Sequence, residues 1–445
     1  MPAPSQGIAR EEAPQPGTHG SVSCPFCGLH CDDLEVRSDG RRLAVTANGC
    51  DRAKAGFEQE APAAALPPST EGKPVPLEAA IARAAELIAA ARLPLYGGLG
   101  TDVEGMRAVM ALADRSGGVV DHVLSRAQYR NTNVLQTRGW FMSTLTEARN
   151  RADLFVIVAS DLSTLHPRFI ERIVSPEQTM FDAPANGRTV VLLGEGMPKA
   201  AVKGRLVGDV IDIPCAKSDV PAVLAELRAI LRGAPLSGAR PGGIEIAALE
   251  DLAARCRAAQ YGVFVWAPQA LDFDGADDAV HIVSDVVRDL NKTTRAAGLS
   301  LGGSDGAASA ASVCSWQSGY PLRVSFAGGV PTYDPYRFEV ARMLAEGEGD
   351  LLVWVSSFGP DPTPPPTTTV AMIVIGSPAI RLAATPAVFI PVGTPGLDHR
   401  GRLVRCDSVV SLPLRRLREL GLTSVTEVAT TLAGRLPAAV APAAE

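Results

Sequence analysis

Six short apolar runs constrain this chain more than anything else in it: Leu93-Pro-Leu-Tyr-Gly-Gly-Leu-Gly100, Leu154–Ala159, Thr189–Leu193, Gly262–Trp266, Leu351–Val355 and Met372–Ile375. None alternates polar with apolar residues, so each reads as a strand buried on both faces, which is the situation of strands in a parallel sheet covered by helices. Helical periodicity falls between them, over Leu77–Ala91, Val220–Arg232, Ile244–Gln260 and Asp278–Asn291. Strand, turn, helix repeated in this way predicts an α/β protein with doubly wound parallel sheets. At 445 residues there is room for two or three full cores. The expected order is a flexible arm over 1–20, a small Cys-rich module over 21–60, α/β domains over 61–360, a further α/β segment over 361–436 and a disordered tail over 437–445. The stretch Glu60–Pro76, rich in Ala and Pro, reads as a linker, and the proline-rich Pro360–Thr369 as a rigid surface connection.

The Cys-rich module carries the chemistry. Cys24, Cys27 and Cys31 lie within eight residues and Cys50 follows, a C-x2-C-x3-C-x18-C spacing, and no further cysteine occurs until Cys215. Four thiolates at this spacing suit a 4Fe-4S cluster, the leading reading. Zinc also takes four thiolates, but its structural sites usually pair two C-x2-C knuckles, and here Cys50 stands alone. An unoccupied, vestigial site is the third reading. Arg52 and Lys54 beside Cys50 would balance cluster charge, although a solvated loop needs no such role for them.

Composition bounds the partners and the compartment. A formal net charge of -6 argues against a general nucleic-acid surface. No window of about 18 apolar residues is present to cross a membrane, and the first twenty residues lack the apolar core of a signal peptide. The cytoplasm is therefore expected, where clustered cysteines are metal or redox ligands before they are disulfides. No Walker loop, G-x-S-x-G elbow, H-E-x-x-H pair or nucleophilic Cys-His signature supports an independent hydrolase.

The motifs, taken in order, resemble one family. Cys24-x2-Cys-Gly-x2-Cys-Asp-Asp33, Asn150-Arg-Ala-Asp153, His166-Pro-Arg168, Trp316-Gln-Ser-Gly-Tyr-Pro321, Gly329-Val-Pro-Thr-Tyr-Asp-Pro335 and Gly396-Leu-Asp-His-Arg-Gly-Arg-Leu-Val-Arg-Cys-Asp407 are similar in order and spacing to the molybdopterin oxidoreductases, within them to the B subunit of formylmethanofuran dehydrogenases. The resemblance covers most of the chain and implies the multidomain fold of that superfamily. It also implies a 4Fe-4S cluster beside a tungsten or molybdenum ion held by two pterin dithiolenes, with a cysteine completing the metal's sulfur shell.

Against that pattern the cysteine-histidine pair of the family falls at Ala127 and Gln128, and no thiolate is available anywhere from Asp51 to Pro214. The glycine-rich Gly302–Ala308 carries Asp305 and no cation, so a pterin phosphate would be opposed there, and bound pterin is not expected. His122 reads as a strand end in preference to a replacement ligand.

The resemblance then implies a homologue that kept the fold without the redox centre: a structural B subunit of the bacterial formyltransferase/hydrolase complexes. These move a formyl group from tetrahydromethanopterin to a methanofuran-type carrier and release formate. Its partners would be the hydrolase (A-type), C-type and formyltransferase (D-type) subunits, and the carrier itself. The alternatives are an active dehydrogenase subunit using another ligand in place of the cysteine, and an electron-transfer subunit holding the cluster alone. His166 and Arg168 at a strand end, and Trp316, Tyr320 and Tyr333 near glycines, are candidate cavity-lining residues; the competing readings are a turn with Arg168 paired to a carboxylate, and aromatic packing. Arg405 and Asp407 are close enough in sequence to pair locally.

Overall fold

The computed structural model describes residues 14–59, 66–181, 187–205, 208–234, 240–365 and 369–437. Two sheets with helices on their faces dominate it. The first is nine-stranded, and its centre is five parallel strands in the order Val119–Val120, Pro94–Gly100, Leu351–Ser356, Ala371–Gly376, Val388–Pro391. The short antiparallel strands Val324–Ser325 and Thr332–Tyr333 extend one side, and Ser69–Thr70 with Lys73–Pro74 extend the other. The second sheet is five-stranded and wholly parallel, in the order Val210–Ile213, Thr189–Leu193, Leu154–Val158, Gly262–Trp266, Ala296–Ser300. The chain therefore starts the larger sheet, leaves after Val120 to build the smaller one, and returns at Val324.

The apolar runs became strands because nothing in them needs water. Every residue of Pro94–Gly100, Leu154–Val158, Gly262–Trp266 and Leu351–Ser356 is buried, with helices covering both faces. The helices begin where polar side chains can satisfy their first amides. Asp102 accepts from Gly105 N at 3.0 Å to start Val103–Ser116, and Thr144 accepts from Glu147 N at 2.9 Å to start Leu145–Arg151. Ser424 and Glu427 form a capping box at Val425–Arg435. Gly117, at φ 67°, ends Val103–Ser116 in the left-handed region that a side chain there would disfavour.

Three expectations change. The boundary expected at residue 361 falls inside the nine-stranded sheet, since Leu351–Ser356 and Ala371–Gly376 are hydrogen-bonded neighbours. A parallel pair needs a long connection, and the proline-rich segment is part of that connection. The linker expected before the first helix supplies the edge hairpin Ser69–Pro74, and part of the expected N-terminal arm, Gly17–Gly20, is paired as the first strand of a three-stranded antiparallel sheet completed by Leu34–Ser38 and Leu43–Ala47. Edge strands this short and polar carry no hydrophobic pattern by which to be seen. Residues 1–13 of the arm and 438–445 of the tail lie outside the described residues.

Candidate functional site: a glycine loop where three parts of the chain meet

The carboxyl ends of both parallel sheets converge on the loop Gly302–Gly306, which leaves the last strand of the smaller sheet and enters the helix Ala307–Ser318. Gly303, Asp305 and Gly306 all have positive φ, at 84°, 54° and 73°. Such a turn presents backbone, not side chains, to its surroundings. From the larger sheet, buried His122 reaches the loop: its Nδ1 accepts from Leu124 N at 3.0 Å, so Nε2 carries the proton and donates to the Asp305 carbonyl at 2.9 Å. From the smaller sheet, buried His166 places Nε2 at 3.3 Å from the Gly302 carbonyl. Burial lowers both imidazoles to about 4, so they are neutral structural donors at pH 7.

The cysteine module is the third part. Gly28, between Cys27 and Leu29, lies so close to the loop that a Cβ there would overlap the Gly302 carbonyl oxygen. Cys406 N donates to the Gly28 carbonyl at 3.0 Å, tying in the segment after strand Gly401–Val404. Arg168 clamps Asp33 with two parallel bonds, 2.7 and 2.9 Å, and also pairs Glu171. Arg172 holds Asp33 and Asp32, each at 2.8 Å. Burial acts to raise the Asp33 carboxyl, but the bonds from Arg168 and the charge of Arg172 prevail and hold it below the usual range. Cys24-to-Asp33 and His166-to-Arg168 are thus two halves of one joint, and Arg168 is in the carboxylate-paired turn weighed as its second reading.

Cys24, Cys27 and Cys31 are buried, and Cys50 is half-buried at the start of helix Asp51–Phe57. Desolvation pushes the Cys27 thiol up to about 12 and raises Cys24 and Cys31 as well. Arg52 opposes this at Cys27, and Arg172 and Arg168 oppose it at Cys31, so three guanidiniums favour thiolate where burial does not. Arg52 is itself anchored, donating to the Phe26 carbonyl at 2.9 Å. Among the described residues no three His, Cys, Asp or Glu side chains converge as ligands of a metal ion. The donor set, four thiols with three compensating arginines, fits in kind an iron-sulfur cluster and offers no ready single-ion site.

Ala127 and Gln128 lie elsewhere, half-buried in the first turn of helix Ser125–Arg138. Gln128 lines a cleft of about 30 Å³ with Tyr129, Arg323 and Tyr333, room for roughly one water. Tyr320 stacks on Tyr333, with ring centroids 5.5 Å apart and planes at 5°, and Tyr129 meets Tyr336 edge-on at 5.2 Å. Arg323 closes the floor, pairing Glu339 at 3.0 Å and Asp121 at 3.4 Å. Burial raises Asp121 to about 6 against the pull of Arg323. Leu322 and Arg323 both have positive φ, 61° and 50°, strain that this network holds in place.

The five candidate lining residues therefore separate. His166 and Arg168 belong to the cysteine joint, Tyr320 and Tyr333 belong to the cleft, and Trp316 is 64% exposed on the outer face of its helix. Arg405 and Asp407 pair through two bonds of 2.9 and 2.7 Å, as their spacing predicts. Sequence reasoning missed Arg172 and the docking role of Gly28. The consecutive Asp32-Asp33 directly after Cys31 was the available signal, since two carboxylates beside a thiolate site require cations nearby.

No protein-family model matches the chain. It is 32% identical over 335 residues to the B subunit of the formyltransferase/hydrolase complex of Methylorubrum extorquens, covering 75% of this chain and 86% of that protein. It is 27% identical over 403 residues to the B subunit of the tungsten-containing formylmethanofuran dehydrogenase 2 of Methanocaldococcus jannaschii, covering 87% and 91%. Among solved structures, the formyltransferase/hydrolase complex of Methylorubrum extorquens bound to methylofuran superposes with a TM-score of 0.70 at 27% identity, over 83% of this chain and 98% of the other. Acetylene hydratase from Pelobacter acetylenicus superposes at 0.61 with 9% identity, a likeness of fold alone.

Proposed function

Because this chain belongs to the family of B subunits of formyltransferase/hydrolase complexes, we propose that it is the non-redox, structural B subunit of such a complex. In this reading it holds a hydrolase (A-type) subunit together with C-type and formyltransferase (D-type) subunits, and the assembly passes a formyl group from tetrahydromethanopterin to a methanofuran-type carrier and hydrolyses it to formate. We place it in the cytoplasm, which suits eight free cysteines; among the described residues no helix is long and apolar enough to cross a membrane.

One observation carries the reading. In this reading the position of the dehydrogenases' thiolate falls at Ala127 and Gln128, and Gln128 lines a cleft of about 30 Å³ walled by tyrosines and Arg323. Neither side chain supplies a sulfur ligand, and the cleft has no space for a pterin. Cys24, Cys27, Cys31 and Cys50 are the residues that would hold an iron-sulfur cluster, which when bound supplies reversible electron storage. Around it Arg168 and Arg172 hold the loop, His30 donates Nδ1–H to the Cys24 carbonyl at 3.0 Å, and Gly28 abuts the glycine loop.

The test is the purified complex, assayed for formyl hydrolysis and for dye-linked oxidation of formate. Hydrolysis without dye reduction is expected, with neither tungsten nor molybdenum on elemental analysis. Stoichiometric tungsten or molybdenum with bound pterin would overturn the reading. Iron and sulfide at about four per chain, lost in Cys27→Ser, would assign the cysteine site to a cluster.

A further inference from the structure

A cavity of about 200 Å³ opens between the cysteine loop and the smaller sheet, and three arginines line it from three different elements. Arg149 comes from helix Leu145–Arg151, Arg172 from the turn Ile170–Val174, and Arg405 from the segment after strand Gly401–Val404. The nearby carboxylates are taken up by two of them. Arg172 holds both Asp32, also in the lining, and Asp33, and Asp407 is taken by Arg405. Among the described residues Arg149 has no carboxylate partner and makes one side-chain bond, to the Gln178 carbonyl at 3.3 Å.

Behind the wall lies a further guanidinium, which the charge of the Asp153 carboxylate partly offsets. Arg188 is 1% exposed and is spent on carbonyls: Ile173 at 3.0 Å, Val174 at 3.1 Å and Arg149 at 2.7 Å. Two of these acceptors, Ile173 and Arg149, are residues of the cavity itself. Burial lowers the Arg188 pKa, and the charge of Asp153 opposes that only in part. Its bonds to the Ile173 and Arg149 carbonyls brace the two walls of the cavity.

From this geometry we infer that the cavity is a binding site for a tetrahedral oxyanion, a phosphate group on a small molecule or inorganic phosphate. Guanidinium forks bind both carboxylate and phosphate, but three guanidiniums approaching from three elements, two of them already partly engaged by Asp32 and Asp407, call for oxygens pointing in three directions, which phosphate has and carboxylate lacks. The oxyanion takes the free donors of Arg149 and shares those of Arg172 and Arg405, with the Thr146 side chain at the same wall. Asp32, on the rim, sets the limit on how much negative charge the site accepts. The site does not rest on the proposed assembly; Arg172, which also favours the thiolate of Cys31, is its link to the cysteines.

Calorimetric titration of the full-length chain with inorganic phosphate tests this, at constant ionic strength set with chloride. The expected result is saturable binding at one site, competition by sulfate, no comparable binding of acetate, and a thermal midpoint that rises with phosphate. Arg149→Gln should weaken binding by about tenfold or more, and Arg149→Lys, which keeps the charge without the fork, should fall between. Arg232→Gln, on a distant surface, should bind as the native chain does. If Arg149→Gln lowers the thermal midpoint without phosphate, the Lys variant decides, and weakening is still required of it. Native-like phosphate binding in the Arg149 variants, absence of saturable binding in the native chain, or acetate binding as tight as phosphate each overturns the inference. Comparing inorganic phosphate with a phosphate monoester such as glycerol phosphate separates the free anion from a ligand-borne group.

Discussion

The joint beneath the cysteines and the cleft beside Gln128 have opposite characters. The joint is partly buried, polar and over-determined: Arg168 and Arg172 hold Asp32 and Asp33, and Gly28 touches the backbone of Gly302. The cleft region is aromatic and open at its rim, with Tyr336 66% exposed against Tyr129 and Tyr320 stacked on Tyr333. The first gathers four thiols among charged side chains, and the second leaves a space of only about 30 Å³ between side chains. The lesson is that polar joints tolerate little change, because each member would leave a buried partner unpaired, whereas a cavity wall accepts any set of side chains that packs.

That contrast breaks most directly at Gly28. Gly28→Ala would force its methyl group into the Gly302 carbonyl, which is backbone and cannot rotate away, so a loss of about 3 kcal/mol is expected. Urea unfolding measures it, and a near-native midpoint would mean the joint is looser than described.

Arg168→Met comes next. The guanidinium side chain is 6% exposed, but Asp33 and Glu171 are 37% and 48% exposed, so water recovers part of the loss and about 2 kcal/mol is expected. Arg168→Lys should recover only part, because one ammonium does not reproduce the two-bond clamp.

His122 links the two regions, and its signature is in pH. Its imidazole is lowered to about 4 in the fold, against about 6.5 in an unfolded chain. The unfolded state therefore binds the extra proton first as pH falls. The stability it confers is complete above about pH 6.5 and is lost progressively towards pH 4. Asp121, raised to about 6, acts in the opposite sense: the fold keeps its proton over the same window and is relatively favoured as pH falls. His122→Asn should flatten the acid slope of stability, read from urea midpoints at pH 7.5, 6 and 5. An unchanged slope would show that the Asp305 bond does not depend on the neutral ring.

The smallest effect is expected at Trp316, on the outer face of helix Ala307–Ser318. Trp316→Ala should change stability by less than about 0.5 kcal/mol, because the ring is exposed. A large loss would show that Trp316 is packed and that the two regions are not as different as their exposure indicates.

Much of this architecture was legible beforehand, and the reasons are local. Thr189–Leu193 and Gly262–Trp266 were recognisable as strands to the residue, because strands buried on both faces have no other composition available. The helix starting at Leu77 was equally plain from its apolar spacing. Arg405 with Asp407 followed from their separation by one residue. The edge strands at Ser69 and Lys73 were hidden, since a two-residue polar strand is defined by the neighbour it pairs with and not by any pattern of its own. The site was only half visible: the four cysteines announced themselves by spacing, while the separation of His166 and Arg168 from Tyr320 and Tyr333 required knowing which sheet each element joins.

By itself the sequence determined the parallel α/β class, the thiol set at Cys24, Cys27, Cys31 and Cys50, and the absence of a thiolate from residue 51 to 214, because burial patterns and residue chemistry are properties of short segments. Only the tertiary structure decided that Gly302–Gly306 is the meeting point of two sheets and the cysteine loop, that Arg168 and Arg172 serve Asp32 and Asp33 more than a hundred residues away in the chain, and that the space beside Gln128 is about 30 Å³. Each of these depends on which distant surfaces are pressed together, and that is set by the packing of the whole chain.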